Sequence, residues 1–170
     1  MLLGILLGCV VPAAAQRGPA RDSATVASYA HLLFELRDTV DVVSARVSDF
    51  RRDLRSVGDG TVLARSRRLA QSCETARVVL RDARLPLQRL PADQAIHAPR
   101  DSLGAAMHRL ERRLEVECLQ GLAPEGPGQR ADTLRAWGPN RTSKLDQTIT
   151  SYHAAAARLA RVLGIDMSRP

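Results

Sequence analysis

The feature that most constrains the fold is an uninterrupted apolar repeat in the first third of the chain. Its residues are three or four positions apart, and they are Val26, Tyr29, Leu33, Leu36, Val40, Val43, Val47, Phe50, Leu54 and Val57. This spacing places them on one side of a helix, as in a coiled-coil seam. It predicts a helix about 50 Å long at 1.5 Å per residue. Asp22 or Ser23 can cap its start, and Gly58 and Gly60 can end it.

The same spacing returns three times further along the chain. A second helix is predicted from Val62, Ser66, Leu69, Cys73, Ala76, Leu80 and Ala83, a third from Leu103, Met107, Leu110 and Leu114, and a fourth from Leu145, Ile149, Tyr152, Ala156, Leu159 and Leu163. Pro86 and Pro91 are expected to end the second helix, so that residues 86–99 form a connection. Gly121 and Pro124 are expected to end the third.

Residues 123–140 contain several Gly and Pro residues and predict a loop. Leu134 and Trp137 are the large apolar residues of this segment, and we expect both to dock onto the bundle. The fourth helix is then expected to begin between Asn140 and Ser143.

Composition favours packed helices over sheets. Hydrophobic residues make up 45% of the chain but aromatic residues only 3%, so the core is built from Leu, Val and Ala. Leu and Ala favour helices, whereas sheets favour aromatic and β-branched residues. Four helices with one apolar stripe each bury those stripes most simply against one another. We therefore predict an all-α fold, an antiparallel four-helix bundle with long heptad-patterned helices, as a single domain over residues 16–170.

The first fifteen residues predict a cleaved secretory signal peptide. Residues 2–15 carry no charge and end in Ala13 and Ala15, which frame a cleavage site after Ala15. This run is shorter than the roughly 20 apolar residues that span a bilayer. A periplasmic or secreted protein is therefore expected. The alternative is a lipid anchor on Cys9, because Cys9 follows the lipobox-like run LLG.

Two cysteines remain after removal of the signal peptide, Cys73 in the second predicted helix and Cys118 at the end of the third. Cys73 lies on an apolar seam and Cys118 flanks one, so both are expected to point inward. In an oxidising compartment such a pair can form a disulfide. Whether the two cysteines lie at the same height along the bundle depends on the register of the second and third helices. The match improves if the second helix continues past Pro86. The alternative is that the two cysteines are separate, small buried thiols. The sequence contains no CxxC motif, so nothing in it indicates thioredoxin-like chemistry or covalent haem attachment.

Positive charge is concentrated in the second predicted helix. Residues 60–90 contain seven basic and two acidic residues, and Lys144 is the only lysine among the 25 basic residues of the chain. The candidate partner-binding residues lie off the seam, and they are Arg65, Arg67, Arg68, Arg77, Arg81 and Arg84. Such a face could meet anionic lipid, a polyanionic envelope polymer or an acidic protein. The alternative is that these arginines form a solvated surface that binds no partner.

No pattern in the sequence indicates catalysis. There is no nucleophile motif, no Gly-rich phosphate loop and no pair of acids in a plausible pocket. Glu117 is expected at the fraying end of the third helix, near Arg112 or Arg113. The histidines that could hold haem or a metal ion lie off or beside the seams, and they are His31, His108 and His153. We therefore expect no catalytic residue, no cofactor and no metal site.

These features favour a non-enzymatic, exported binding or scaffold module, such as an accessory subunit of a membrane-associated envelope complex. Its expected partner is a protein or an anionic envelope surface. Peripheral membrane association is compatible with either, and no small-molecule substrate is indicated. Two alternatives stay open: a haem- or metal-holding four-helix bundle, and a stress-related or chaperone-like periplasmic binder. Nucleic acid is not expected, because export removes that partner and few aromatic residues are available for stacking.

Overall fold

Four long helices make up most of the described chain. The computed structural model describes residues 22–122 and 130–168, and this part contains no strand. The helices are α1 (Ser23–Asp53), α2 (Asp59–Arg89), α3 (Gln94–Arg113) and α4 (Ala131–Leu163), and one π-helical turn (Leu114–Leu119) continues α3. The predicted four-helix bundle is confirmed. The predicted signal peptide and Cys9 lie outside the described residues.

Contacts at both ends of α1 and α2 show that these helices run in opposite directions. Near the start of α1, the Tyr29 hydroxyl lies 3.1 Å from the carbonyl oxygen of Pro91, just after the end of α2. At the other end, the Asp53 carboxylate of α1 lies 2.9 Å from the Arg65 guanidinium near the start of α2. The two helices are therefore antiparallel neighbours.

The other helices alternate in the same way. The contacts that establish this are Arg84 with Glu111 and Cys73 with Cys118 between α2 and the α3 segment, and Asp41 with His153 and Arg51 with Asp146 between α1 and α4. In each pair, later residues of one helix meet earlier residues of the other. The neighbours therefore follow the order α1, α2, α3, α4 around the bundle, and α2 lies diagonally opposite α4.

The apolar seams face one another in the core. All predicted seam residues are buried except Val26 and Val57, and Leu87 extends the seam of α2. Ser66 is the polar member of the α2 seam and is fully buried. Its hydroxyl donates to the carbonyl oxygen of Leu122, which removes the cost of burying an unpaired polar group. No helix in the described part of the chain is both long and apolar enough to cross a membrane.

The prediction that Pro86 ends the second helix is wrong. α2 continues to Arg89 with Pro86 inside it, so only part of residues 86–99 forms a connection. Proline removes one backbone hydrogen bond from a helix. However, Leu87 occupies the next seam position and is only 1% exposed, and its burial stabilises the last turn of the helix.

α3 begins inside the segment that was expected to be a connection. Its first residue is Gln94, because the Asp93 carboxylate accepts hydrogen bonds from the backbone N–H groups of Ala95 and Ile96, both at 2.9 Å. An aspartate at this position satisfies two of the free N–H groups at a helix start. The cap therefore sets the start of α3, and Pro99 lies within the helix.

α4 begins at Ala131, so the prediction of a loop over residues 123–140 is wrong for residues 131–140. Its seam continues through Leu134, Gly138 and Thr142, all of which are buried. The predicted docking of Leu134 is confirmed, but that of Trp137 is wrong, because Trp137 is 59% exposed.

Gly138 is part of the core packing even though glycine usually disfavours helices. A Cβ at this position would lie 2.9 Å from Leu54 Cδ1 and 3.3 Å from Phe50 Cε1. The absence of a side chain therefore lets α4 approach two large residues of α1. Pro139 follows within the same helix, so α4 passes through two residues that locally predict a break.

The end of α1 is capped by a side chain of α4. The helix stops at Asp53, before the predicted end at Val57. The Arg135 guanidinium donates to the carbonyl oxygens of Leu54 (3.1 Å) and Val57 (2.8 Å). These bonds satisfy carbonyl groups that have no partner within a helix, so the chain can turn before the glycines.

Two adjacent valines of α1 test the assignment of the core. Val43 is 1% exposed and Val42 is 51% exposed. Val43→Asp buries an unpaired carboxylate, which costs several kcal/mol, comparable to the whole stability of a domain. We expect it to abolish cooperative thermal unfolding, measured by circular dichroism. Val42→Asp is the control and should change the free energy of unfolding by at most about 0.5 kcal/mol; similar melting curves for both variants would contradict the assignment.

The two buried tyrosines differ in their hydroxyl partners. The Tyr29 hydroxyl is close to two carbonyl oxygens, whereas that of Tyr152 has no hydrogen-bond partner among the described residues. Burial raises the pKa of both hydroxyls, so both are neutral at pH 7. Tyr29→Phe should lower the free energy of unfolding in urea by about 1 kcal/mol. Tyr152→Phe should leave it unchanged or raise it, and a larger loss for Tyr152→Phe would contradict this account.

Candidate functional site

The candidate arginines of α2 all lie outside the core. This set, the α2 arginine face, consists of Arg65, Arg67, Arg68, Arg77, Arg81 and Arg84, none of which is buried. Arg65 reaches a carboxylate on α1 and Arg84 reaches one on α3. The face therefore covers the outer side of α2 and both of its flanks.

Four of these six arginines form ion pairs. The pairs are Arg65 with Asp53 (2.9 Å), Arg77 with Glu74 (2.8 Å), Arg81 with Asp82 (3.0 Å) and Arg84 with Glu111 (3.3 Å). The two more exposed pairs, those of Arg77 and Arg81, contribute little to stability. Each carboxylate nevertheless offsets one positive charge, so the face is less positive than its arginines alone suggest.

Arg77 shows how acidic residues surround part of this face. Its guanidinium donates to both carboxylate oxygens of Glu74, at 3.0 and 2.8 Å. This hydrogen bonding raises the pKa of Arg77 and lowers that of Glu74. The charges of Glu115 and Glu111 raise the pKa of Arg77 further. Carboxylates of the α3 segment therefore lie towards the arginines of α2.

Arg67 and Arg68 differ from the other four arginines. Both are exposed, and neither forms an ion pair with another described residue. Arg68 lines a surface groove between α1 and α2 together with Arg46, the exposed Val42 and Asp38, whose carboxylate pairs with Arg37. Arg67 and Arg68 are therefore the members of the α2 arginine face with the most charge available to an external anion.

Cys73 and Cys118 meet in the core between α2 and the π-helical turn. Both residues are fully buried. Their sulfur atoms are 2.10 Å apart, at disulfide-bonding distance, and their Cα atoms are 6.4 Å apart. The register of the antiparallel α2 and α3 segment places the two cysteines at the same height in the bundle. The two sulfurs are thus paired rather than separate buried thiols.

The expectation that Glu117 lies at a fraying helix end is wrong. Glu117 is 4% exposed and lies within the π-helical turn. Its carboxylate oxygens lie 2.9 Å from the Arg113 guanidinium, 3.3 Å from that of Arg141 and 3.7 Å from the Lys144 ammonium. A buried carboxylate without partners would strongly destabilise the fold. The three cations therefore allow Glu117 to be buried.

Arg141 reaches Glu117 by passing over Gly121. A Cβ at Gly121 would overlap the Arg141 guanidinium and would lie 2.7 Å from the carbonyl oxygen of Glu117. Arg141 also donates to the carbonyl oxygen of Val116, at 3.3 Å. Gly121 thus admits a cation to the buried carboxylate, in addition to following the end of the third helix.

The histidines do not converge on one site. His31 is exposed, His108 lies 3.6 Å from Glu111, and His153 lies 3.3 Å from Asp41. In the part of the chain that the structure describes, no group of three His, Cys, Asp or Glu residues could hold a metal ion.

Sequence reasoning did not reveal how charge is divided on α3. Residues 99–122 contain four basic and four acidic residues, and this zero net charge hides their arrangement. Glu111 pairs with α2, whereas Arg109, Arg112 and Arg113 line a groove beside α4. The available signal was the spacing of these arginines, because residues three and four apart share one side of a helix.

Breaking the Cys73–Cys118 pair should destabilise the bundle. The two residues are 45 positions apart, and closing a loop of this size stabilises a protein by about 4 kcal/mol in the chain-entropy model. Cys73→Ala combined with Cys118→Ala should lower the free energy of unfolding in urea by about this amount. Thiol titration of the native protein in denaturant should find neither sulfur free. Two titratable thiols at these positions would contradict the pairing.

No protein-family model, curated protein or solved structure matches the chain. The functional proposal therefore rests on the charges and the geometry of the chain itself.

Proposed function

We propose that the protein is an exported, non-enzymatic binding module that attaches through the α2 arginine face to an anionic surface of the cell envelope. The observation that carries this proposal is the pair Arg67 and Arg68, two exposed cations with no ion-pair partner among the described residues. A basic side chain near an anionic membrane surface contributes about 1 kcal/mol of attraction. Together they supply an electrostatic contact without a deep pocket.

The shape of the bundle supports a scaffold role. α2 contains 31 residues, which corresponds to about 46 Å at 1.5 Å per residue. The arginine face follows this helix from Arg65 to Arg84, and the other three helices hold the helix in place through the shared core. Exposed cations on a supported helix, with Arg67 and Arg68 contributing the unpaired charge, suit a flat anionic surface better than an enclosed ligand.

The proposed location is the periplasm or the extracellular space. The pairing of Cys73 with Cys118 supports it, because disulfides persist in oxidising compartments. The predicted signal peptide, residues 1–15, supports it independently. Attachment at a membrane surface would suit an accessory subunit of a membrane-associated complex.

Co-sedimentation with lipid vesicles tests the proposed attachment. We expect binding to vesicles that contain phosphatidylglycerol and none to vesicles of phosphatidylcholine alone. Binding should weaken with salt, since the Debye length falls from about 10 Å at 0.1 M to about 3 Å at 1 M. Binding that is independent of both lipid charge and salt would contradict an electrostatic attachment.

Matched double variants locate the attachment surface. Arg67→Gln with Arg68→Gln should weaken vesicle binding by about 30-fold, corresponding to about 2 kcal/mol. The control, Arg158→Gln with Arg161→Gln, removes the same charge from exposed positions of α4, diagonally opposite α2. We expect the control to bind almost as well as the wild type. Equal binding by both double variants would show that the α2 arginine face is not the attachment surface.

A further inference from the structure

A second cationic surface lies between α3 and α4, on a different side of the bundle from the α2 arginine face. It is a groove of about 630 Å³, which we call the α3–α4 groove. Its lining includes His108, Arg109, Arg112 and Arg113 from α3, and Thr148 and Ser151 from α4. Arg84 of the α2 arginine face contacts the lining residue His108, at 3.3 Å from its Nδ1. Arg67 and Arg68 do not line the groove, so these two arginines can be tested separately from it.

The groove presents guanidinium groups as its main hydrogen-bond donors. Arg109 and Arg112 are exposed, and neither forms an ion pair with another described residue. The hydroxyl groups of Thr148 and Ser151 each donate to a carbonyl oxygen one turn back in α4, at 2.9 Å. A ligand in the groove would therefore meet N–H donors from arginine before it met hydroxyl donors.

Three arginines within about one turn of α3 repel one another. Arg109, Arg112 and Arg113 are spaced three and four residues apart, and like charges at this spacing destabilise a helix. Among the described residues, only Arg113 of these three has a carboxylate partner, which is Glu117. An anion bound in the groove would relieve the remaining repulsion.

Glu117 is shared among too many cations to balance the groove. It pairs with Arg113 and also with two residues of α4, Arg141 and Lys144. The groove itself is lined by Arg109, Arg112 and Arg113, and of these only Arg113 pairs with Glu117. Two positive charges of the lining therefore have no carboxylate partner among the described residues, an excess of at least two. The nearby Glu111 does not reduce this excess in full, because it also pairs with Arg84 of α2, at 3.3 Å.

The buried carboxylate also positions the cations around it. The Glu117 side chain is 5% exposed, while those of Arg113, Arg141 and Lys144 are 47%, 30% and 44% exposed. Each cation is therefore held from beneath while part of it stays in contact with solvent. Gly121 permits this arrangement by leaving room for Arg141. Of the groove arginines only Arg113 is held in this way, and its fixed position lowers the conformational cost of binding an anion beside it.

We infer that the α3–α4 groove binds a phosphate group, carried either by a small soluble phosphate compound or by a phosphomonoester lipid headgroup. A phosphomonoester carries about 1.5 to 2 negative charges at pH 7 and three acceptor oxygens. These oxygens match the forked donors of guanidinium groups such as Arg109 and Arg112. A single carboxylate offers one charge and two oxygens, and would offset less of the excess.

Titration with inorganic phosphate, followed by NMR of the isotopically labelled protein, tests this inference. Sodium chloride keeps the ionic strength constant, so that general screening does not change during the titration. We expect saturable shifts of the Arg109 and Arg112 side-chain N–H signals and of backbone amides around Thr148 and Ser151. The absence of saturable shifts at these positions would overturn the proposed site.

Two double variants that lose the same charge distinguish a specific phosphate site from a general effect of net charge on phosphate binding. Arg109→Gln with Arg112→Gln should weaken phosphate affinity by about tenfold or more, because charge-assisted hydrogen bonds are lost. Arg67→Gln with Arg68→Gln removes the same charge from the α2 arginine face and should leave the affinity nearly unchanged. Equal weakening by both pairs would overturn the site. Loss of vesicle attachment only in the α2 pair would leave this inference intact.

Vesicles distinguish the two sources of phosphate. Phosphatidic acid presents a phosphomonoester at the membrane surface, whereas phosphatidylglycerol presents a phosphodiester. If a preference for phosphatidic acid vesicles is lost in Arg109→Gln with Arg112→Gln, the site takes a lipid headgroup. If phosphate binds in solution and no such preference exists, the site takes a soluble phosphate compound. Both results support the phosphate site and assign its source.

Discussion

Burial of one narrow apolar stripe per helix is the interaction on which the rest of the structure depends. Each helix is polar on its remaining sides, and most helical stability in such a chain comes from packing rather than from propensity. Because the stripes occupy only part of each helix, the arginines lie outside the core, and none of those in residues 22–122 and 130–168 is buried. The packing that forms the core also decides which cations and carboxylates meet. Electrostatic features of the surface are therefore consequences of core register.

The spacing of apolar residues is enough to predict the core, but not the ends of the helices. Leu33 and Leu159 are fully buried. Each lies on the side of its helix that carries the apolar repeat, so the repeat alone predicts their burial. Pro86 and Gly138 are locally unfavourable in helices, yet both lie within them. Burial of Leu87 offsets the cost of Pro86 within α2. The close approach of Leu54 explains why α4 has a glycine at position 138. Such contacts join distant parts of the chain, so local propensity does not report them.

The sequence also indicates which side of a helix a charge occupies, but not the charge that it meets. The arginines of α2 lie off the core as their spacing predicts, whereas the pairing of Arg84 with Glu111 depends on the register of two helices. Glu117 shows this limit most clearly. A carboxylate near a helix end is usually solvated, and here the π-helical turn and the space above Gly121 allow it to be buried among cations.

The pairing of Cys73 with Cys118 also determines how the bundle would carry mechanical tension. Its two sulfurs close a ring of residues that are separated by 45 positions, and a pull on the two ends of the chain would bypass this ring. At about 3.4 Å per residue, the ring shortens the fully stretched chain by about 150 Å. α1, α4 and residues 59–72 of α2 lie outside the ring and would yield first, while the segment from Cys73 to Cys118 would stay closed. A protein held at one end by a surface and at the other by a partner would thus keep a shorter and stiffer tether between them.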